Sequence, residues 1–268
     1  MELSAALTDP LNVFNVTGKS ALITGASGAF GRVAAVTLGA CGANLTLVSG
    51  TESDLEETRA AVEAVGGKAQ TVLRRPDTPE DAEAMVDAAL AAYGAVDILV
   101  VASGYNRPGF IHEMDVTDWE AVMDVNVRGA WLMSQAVGRH MIERGGGGKV
   151  VFVSSVRGRH GNYSGYTGYC TSKAATDGLT RVLATEWGEH GINVNAIAPT
   201  VFRSKLTAWM FGDDKLGRET RERSFARIPL KRLGEPEDFI GIILYLCSAA
   251  SDFCTGQVLY IDGGYTAG

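Results

Sequence analysis

The sequence predicts an α/β protein: a parallel sheet of seven strands alternating with helices, and a small helical lid. Three observations predict it. Short apolar runs alternate with longer segments of helical periodicity along nearly the whole chain. The connections are long enough for helical crossovers, which imply parallel strands joined with a right-handed sense. A turn rich in small residues, Thr24-Gly25-Ala26-Ser27-Gly28-Ala29-Phe30-Gly31, separates the first run from the first helix.

Composition sets the outer bounds. The chain has 268 residues, 46% of them hydrophobic, enough for a sizeable core. Residues 1–268 read as a single domain, with an N-terminal arm over about residues 1–16 and the lid over about residues 200–228. A formal charge of −7 argues against a general nucleic-acid or anionic-membrane surface, while leaving room for a local basic pocket. Cys41, Cys170, Cys247 and Cys254 have no metal-ligand spacing and read as reduced thiols, so no metal site is expected. No stretch is apolar enough over the thickness of a bilayer. Residues 1–15 lack the basic-then-apolar pattern of a secretory signal. The expected location is the cytoplasm. The expected partner is a small-molecule substrate, with neither nucleic acid nor membrane.

Gly18 and Lys19 turn into the first strand, 20–23, and a helix follows the glycine turn to about Cys41. Small residues let the backbone approach a pyrophosphate seated on the helix N-terminus. That makes Gly25, Ser27, Gly28, Phe30 and Gly31 candidate cofactor contacts. The second strand, 44–48, ends in Ser49-Gly50-Thr51-Glu52. An NAD site carries Asp or Glu about twenty residues after the glycines. This strand end has none, and Glu52 lies a turn too far. A bare end at Ser49 and Gly50 avoids repelling a 2′-phosphate. The third strand, 69–73, ends in Arg74-Arg75, two guanidinium groups able to pair with that phosphate or to stand on the surface. NADP is therefore placed ahead of NAD. A helix over 78–93 has apolar positions at Ala82, Met85, Val86, Ala89 and Leu90. The fourth strand, 97–102, delivers Ala102, Ser103 and Gly104 to the carboxyl edge of the sheet, where ligands of open parallel sheets lie.

Residues 105–115 form a loop, and Thr117 or Asp118 caps a helix running towards Arg144. Asn126 sits inside it. A mid-helix Asn is unfavourable unless its amide or a local distortion is used; it either packs or holds a water against Lys173. Four glycines, residues 145–148, turn into the fifth strand, 149–153, and then Ser155. A helix over about 168–190 leads to a sixth strand, 193–197, with Asn195 and Pro199 read at its carboxyl end. Residues 201–227 are too long for an ordinary connection. With Leu206, Trp209, Met210 and Phe211 in the middle, they read as short helices forming a lid, or as a surface subdomain or subunit contact. Pro236 starts a last helix to about Ala249, and a last strand follows over 257–261.

The stretch 155–173 carries the chemistry. Tyr169 and Lys173 are four apart and share a helix face. An ammonium beside a phenol favours the phenolate. A depression of roughly two to three pH units would let Tyr169 give and take a proton near neutrality. Ser155 ends the strand across the loop and is placed to hydrogen-bond a substrate oxygen. A Tyr and a Lys at this spacing also occur as a packed ring and a solvated ammonium, so the rest of the chain decides.

Thr24-Gly25 with Gly31, Asn126, Ser155, Tyr169-Cys170-Thr171-Ser172-Lys173, Asn195 with Pro199, and Arg232-Leu233-Gly234-Glu235-Pro236 form an ordered set. In that set the chain resembles the classical short-chain dehydrogenases/reductases over about residues 16–264. The resemblance implies a doubly wound Rossmann fold, a seven-stranded parallel sheet with helices on both faces, and a nicotinamide cofactor. It also implies a homotetramer, or a homodimer, packed through the long helices at about 118–144 and 169–190. Asn126, Ser155, Tyr169 and Lys173 then act together. Tyr169 exchanges the proton with the substrate oxygen and Ser155 orients that oxygen. Lys173 binds the nicotinamide ribose and lowers the Tyr169 pKa, and Asn126 holds a water between Lys173 and solvent. Ser204 stands where a Thr often meets the carboxamide, and Thr200 follows Pro199 where Gly is common; all three join the cofactor set.

Other departures from the family pattern are Ala29 in place of a glycine, which costs room near the pyrophosphate, and Val101-Ala102-Ser103-Gly104 in place of an Asn-Asn-Ala-Gly run. Arg75 aligns with an Asp near the adenine, and the loop from Ser155 to Tyr169 is one residue longer. None removes a catalytic group. The expected function is an NAD(P)-dependent oxidoreductase interconverting a secondary alcohol and a ketone. The alternatives are a sugar or polyol dehydrogenase using NAD, a 3-oxoacyl thioester reductase using NADPH, and a non-catalytic nucleotide-binding protein. Substrate cues conflict. Arg157, Arg159, His160, Asn162, Tyr163 and Tyr166 suit a hydroxylated substrate, with Arg159 or His160 for a carboxylate, although Arg157 and Arg159 read first as subunit contacts or solvated groups. Trp209, Met210 and Phe211 suit an apolar ring or chain.

Overall fold

Every strand is an apolar run that two layers of helices can cover, and the architecture follows from that. A computed structural model describes residues 5–205, 207–212 and 214–268, the side chains of residues 5 and 6 excepted. Leu206, expected in the lid, lies outside the described residues. The strands are β1 (Ser20–Thr24), β2 (Asn44–Ser49), β3 (Lys68–Leu73), β4 (Ile98–Val101), β5 (Gly148–Val153), β6 (Ile192–Pro199) and β7 (Val258–Ile261). All pair in parallel, in the order β3-β2-β1-β4-β5-β6-β7. The order reverses between β1 and β4. That switch point opens a crevice at the carboxyl ends of the strands.

The helices are α1 (Ala5–Thr8), α2 (Ala29–Ala40), α3 (Glu52–Ala64), α4 (Pro79–Tyr93), α5 (Val116–Met123), α6 (Gly129–Arg144), α7 (Thr167–Trp187), α8 (Lys215–Arg227) and α9 (Ile240–Cys247). All five residues of β1 are buried, as a strand covered on both faces must be. Leu22 packs with Met85, Val86, Met133 and Val137 from α4 and α6. Its neighbours Ala21 and Ile23 point the other way, to Ala34, Leu38, Ile243 and Leu246 from α2 and α9. That is the period-two alternation of a strand serving two cores.

Local chemistry explains the ends of α4. Thr78 and Asp81 form a reciprocal capping box, Pro79 takes the first turn, and Gly94 closes the helix in the left-handed region at φ 75°.

In the N-terminal arm, α1 and a 3₁₀ turn at Asn12–Phe14 lead into Val16, which is 1% exposed in the core. Two expectations need correction. The helix expected to start at Thr117 or Asp118 starts at Val116 behind Asp115, because the Asp118 carboxylate pairs with Arg107 at 3.2 Å instead of capping. A π-helical turn at Asp124–Arg128 then divides α5 from α6. Finally, β6 runs on to Pro199, which leaves Asn195 in mid-strand opposite Val151. Its amide donates to the Cys254 carbonyl at 2.7 Å and accepts from Gln257 N–H at 3.0 Å. Asn195 therefore anchors the entry to β7 and does not face a ligand.

Candidate active site

The crevice begins where β1 stops. Gly25 has φ +65°, and a Cβ there would sit 2.5 Å from the Ser103 nitrogen. A Cβ at Gly31 would collide with the Gly25 carbonyl. Both positions need glycine, one for its backbone conformation and the other for close approach. Gly28 holds the N-cap position of α2 in extended conformation, so the first helical N–H groups face the cleft unpaired by any side chain. Ala29 is exposed in the first turn. The cleft, about 870 Å³ including its solvent-open mouth, is lined by Gly25, Ser27, Gly28, Ser49, Gly50, Arg74, Arg75, Ala102 and Gly104. These are nine of the residues assigned from sequence. The cradle of small residues over a helix N-terminus fits a dinucleotide pyrophosphate.

Other assigned residues sit differently. The Phe30 ring packs on Phe202 and Phe239, with centroids 5.1 and 4.9 Å away, leaving only its backbone for a cofactor. Gly31, Pro199, Thr200 and Ser204 lie off the lining of this cleft. The Ser204 hydroxyl is 2.9 Å from that of Thr207. The two arginines diverge. Arg74 pairs with Asp81 at 2.6 Å, inside the α4 capping box. Arg75 is exposed, has no carboxylate partner among the described residues, and lies across Gly50, in the space a Cβ there would take.

At the other end of the crevice, β5 hands Ser155 towards α7. The Ser155 hydroxyl accepts from the Arg157 N–H at 3.1 Å and lies close enough to the Tyr169 phenol to lower its pKa. Lys173, 4% exposed, donates to the Val153 carbonyl at 2.8 Å and lies 5.6 Å from the centre of the Tyr169 ring. A Cβ at Gly104 would be 3.9 Å from Nζ, which puts the ammonium against the end of the cleft.

The expected depression of the phenol is not found. Burial pushes the Tyr169 pKa up, opposed by the Ser155 hydroxyl and more weakly by the Arg157 charge. Lys173 is itself pushed down to about 8 by burial, with Asp177 pulling the other way. Desolvation penalises both charged forms, and the ammonium spends a donor on a carbonyl. The phenol is therefore protonated at neutral pH in the cofactor-free protein.

Asn126 also departs from expectation. Its Oδ1 accepts from Tyr105 N–H at 2.8 Å. Its Nδ2 donates to the Tyr105 carbonyl at 2.8 Å and to Ser172 Oγ at 2.9 Å. Both donors are spent, so the side chain fixes the Tyr105 loop and α7 and has no N–H left for a water. The π turn seats it there.

Sequence reasoning missed Ser154 and Asp177, whose hydroxyl and carboxylate meet at 2.5 Å behind Lys173. It also missed Tyr105 and Asp124 in the cleft lining. The mid-helix Asn was the one signal pointing to that neighbourhood.

A glycine cradle at a sheet switch point, with Ser, Tyr and Lys at its far end, defines a nicotinamide-dependent oxidoreductase site. The comparisons agree. A family model described as enoyl-(acyl carrier protein) reductase matches residues 25–266. An uncharacterized oxidoreductase of Mycobacterium tuberculosis is 58% identical over 255 residues, covering 95% of this chain and 93% of the relative. A 2-dehydro-3-deoxy-D-gluconate 5-dehydrogenase of Dickeya dadantii is 37% identical, covering 96% and 99%. A gluconate 5-dehydrogenase from Burkholderia cenocepacia, solved with NADP and tartrate, superposes with a TM-score of 0.88 at 31% identity, covering 97% and 99%. The chain belongs to the classical short-chain dehydrogenase/reductase family. It is an NAD(P)-dependent oxidoreductase acting on a small molecule. Among the described residues no helix is long and apolar enough to cross a membrane.

Proposed function

We propose that this protein reduces a ketone to a secondary alcohol with NADPH, and runs the reverse oxidation with NADP, on a small polyhydroxylated substrate. The observation that carries the reading is the grouping of the Ser155 hydroxyl and the Lys173 ammonium around the Tyr169 phenol, with Nζ close to Gly104 at the end of the cleft.

NADPH supplies the reducing equivalent when bound. Ser155 holds the substrate oxygen and Tyr169, protonated at neutral pH, donates its proton to it. Lys173 lies beside the ring and stabilises the phenolate that remains. In the oxidative direction Tyr169 takes the hydroxyl proton. Asn126 keeps the Tyr105 loop and α7 in place under this group.

The cofactor choice follows from the two arginines. Arg74 is spent on Asp81, whereas Arg75 reaches the adenosine end of the cleft uncommitted. No acidic side chain ends β2. The NADP bound to the gluconate 5-dehydrogenase supports the same choice.

The substrate class rests on what the lid leaves available. Met210 is buried at 5% with Ile228 and Leu233, and Phe211 lies under the Arg203 guanidinium at 3.7 Å. Two of the lid's apolar side chains are therefore consumed in packing, which disfavours a long acyl chain. The dehydrogenases named above act on gluconates, and this favours a sugar acid. Residues 1–268 work as one domain in the cytoplasm. Exposed Trp131 on α6 and Val182 on α7 suit a homotetramer packed through those helices.

Fluorescence titrations with NADPH and NADH test the cofactor reading. The protein binds NADPH more tightly, and Arg75→Gln removes most of that preference. Tighter NADH binding in the wild type overturns it. Tyr169→Phe abolishes turnover while still binding NADPH; retained turnover overturns the mechanism.

A further inference from the structure

A second cluster lies beyond Ser155. Three segments converge on Tyr265, which is 6% exposed: the loop after β5, the end of α8 and the turn after β7. The Arg157 guanidinium lies 5.5 Å from the centre of the Tyr265 ring and donates to its hydroxyl at 3.2 Å. A second bond from Arg157 goes to the Gly161 carbonyl at 2.7 Å. The Arg227 guanidinium lies 4.3 Å from the same ring. The His160 ring meets Tyr265 edge-on at 6.0 Å, and its Nε2 is buried with no hydrogen-bond partner.

Among the described residues this cluster has no counter-charge. Arg59 with Glu56 and Glu63, Arg144 with Asp97, and Arg232 with Asp238 show guanidinium groups matched with carboxylates elsewhere, whereas Arg75 at the cofactor cleft is left open as this pair is. Among the described residues, neither Arg157 nor Arg227 has a carboxylate within 4.0 Å. Cation–π contacts hold the two guanidinium groups beside one ring; Arg157 spends one terminal nitrogen on Tyr265 and Gly161 and keeps Nε and Nη2 for a ligand, as Arg227 keeps its own N–H groups. An orphaned buried imidazole nitrogen beside them is a polar atom awaiting a partner. The loop carrying Arg157 and His160 is tied to the catalytic end, because Ser155 Oγ accepts the Arg157 N–H.

We propose that Arg157, Arg227 and His160 form the carboxylate-recognition site for the substrate, which makes this protein specific for an oxo or hydroxy acid over the corresponding neutral sugar or polyol. This rests on the oxidoreductase reading above and adds the substrate's charge to it. The acid's carboxylate takes N–H groups from both guanidinium groups beside the His160 ring, while its ketone or hydroxyl reaches Tyr169. Arg157 and Arg227 are positioning and specificity residues; neither takes part in proton transfer.

Calorimetry on the NADP-loaded protein tests this, with D-gluconate and its neutral counterpart D-sorbitol as probes. The wild type binds gluconate at least tenfold more tightly, as charge-assisted bidentate contacts predict, and the preference falls as salt is raised. Arg227→Gln, at an exposed helix end where folding is not at stake, cuts the preference about tenfold or more. Arg157→Gln does the same, and Arg157→Lys retains part of it. In turnover, the ratio of kcat/KM for 5-oxo-D-gluconate over L-sorbose falls in step, through KM. Equal binding of acid and polyol by the wild type, absence of binding included, overturns the inference. So does a preference that survives both Gln variants. A protein that binds NADP and reduces neutral ketones without preferring the acid leaves the oxidoreductase reading standing; retained turnover in Tyr169→Phe is what sinks that one.

Discussion

Replacing Lys173 with Met is expected to make the cofactor-free protein more stable at pH 7 while destroying its activity. Burial lowers the Lys173 pKa from 10.5 to about 8. At about 1.4 kcal/mol per pH unit, keeping that ammonium charged in the fold costs about 3 kcal/mol. Met fills similar volume with no charge to desolvate. Against this, the Val153 carbonyl loses its 2.8 Å partner, a cost of about 1–3 kcal/mol. The net gain is about 1 kcal/mol, or a Tm rise of about 2–4 °C for a chain of this size.

The sign changes with pH. Lys173 has a lower pKa folded than unfolded, so its cost is complete below pH 8 and is relieved as pH rises to 10.5. Above that the lysine is neutral in both states and only the lost hydrogen bond remains, so the Met variant becomes the less stable of the two. Thermal unfolding of both proteins from pH 7 to 10.5, followed by circular dichroism, reads the gap. The difference is the quantity to use: Cys247, pushed up to about 12 by burial and remote from the substitution, destabilises both proteins equally as pH climbs. A gap that stays constant across this range would refute the claim that burial sets the Lys173 titration.

Gly25→Ala places a β-carbon 2.5 Å from the Ser103 nitrogen at φ +65°, so stability in urea falls by about 2 kcal/mol or more and NADPH affinity at least tenfold; an unchanged affinity contradicts the cradle. Asn126→Ala strips partners from both backbone groups of Tyr105 and from Ser172, and is expected to cost about 2–4 kcal/mol in urea unfolding; a loss under about 0.5 kcal/mol rules out the clamp. Cys247, 3% exposed with its thiol near 12, resists alkylation at pH 8 until the protein unfolds; mass spectrometry showing rapid native labelling would contradict its burial.

The sequence by itself determined what depends on neighbours along the chain. Thr78, Pro79 and Asp81 announced the start of α4, and the turn from Gly25 to Gly31 announced its phosphate cradle, because capping and close backbone approach are settled within one turn. The short apolar runs and the long helical connections between them already implied a parallel sheet. Ser155, Tyr169 and Lys173 were legible because their spacing on a strand end and one helix face survives any packing.

Tertiary structure decided whatever depends on solvent exclusion or on distant partners. Tyr169 shows this most clearly: the sequence placed an ammonium four residues away, yet desolvation by the surrounding fold outweighs it and raises the phenol. Arg74 and Arg75 are alike in sequence, and only the packing of α4 beside β3 commits one to Asp81 and leaves the other over Gly50. Asn126 could not be read because its partner, the Tyr105 backbone, arrives from a loop 21 residues away through a π turn. The cluster at Tyr265 lies further still from sequence reasoning. Arg157, Arg227 and Tyr265 belong to three separate segments, and no periodicity links residues that only the closure of the chain brings to one ring.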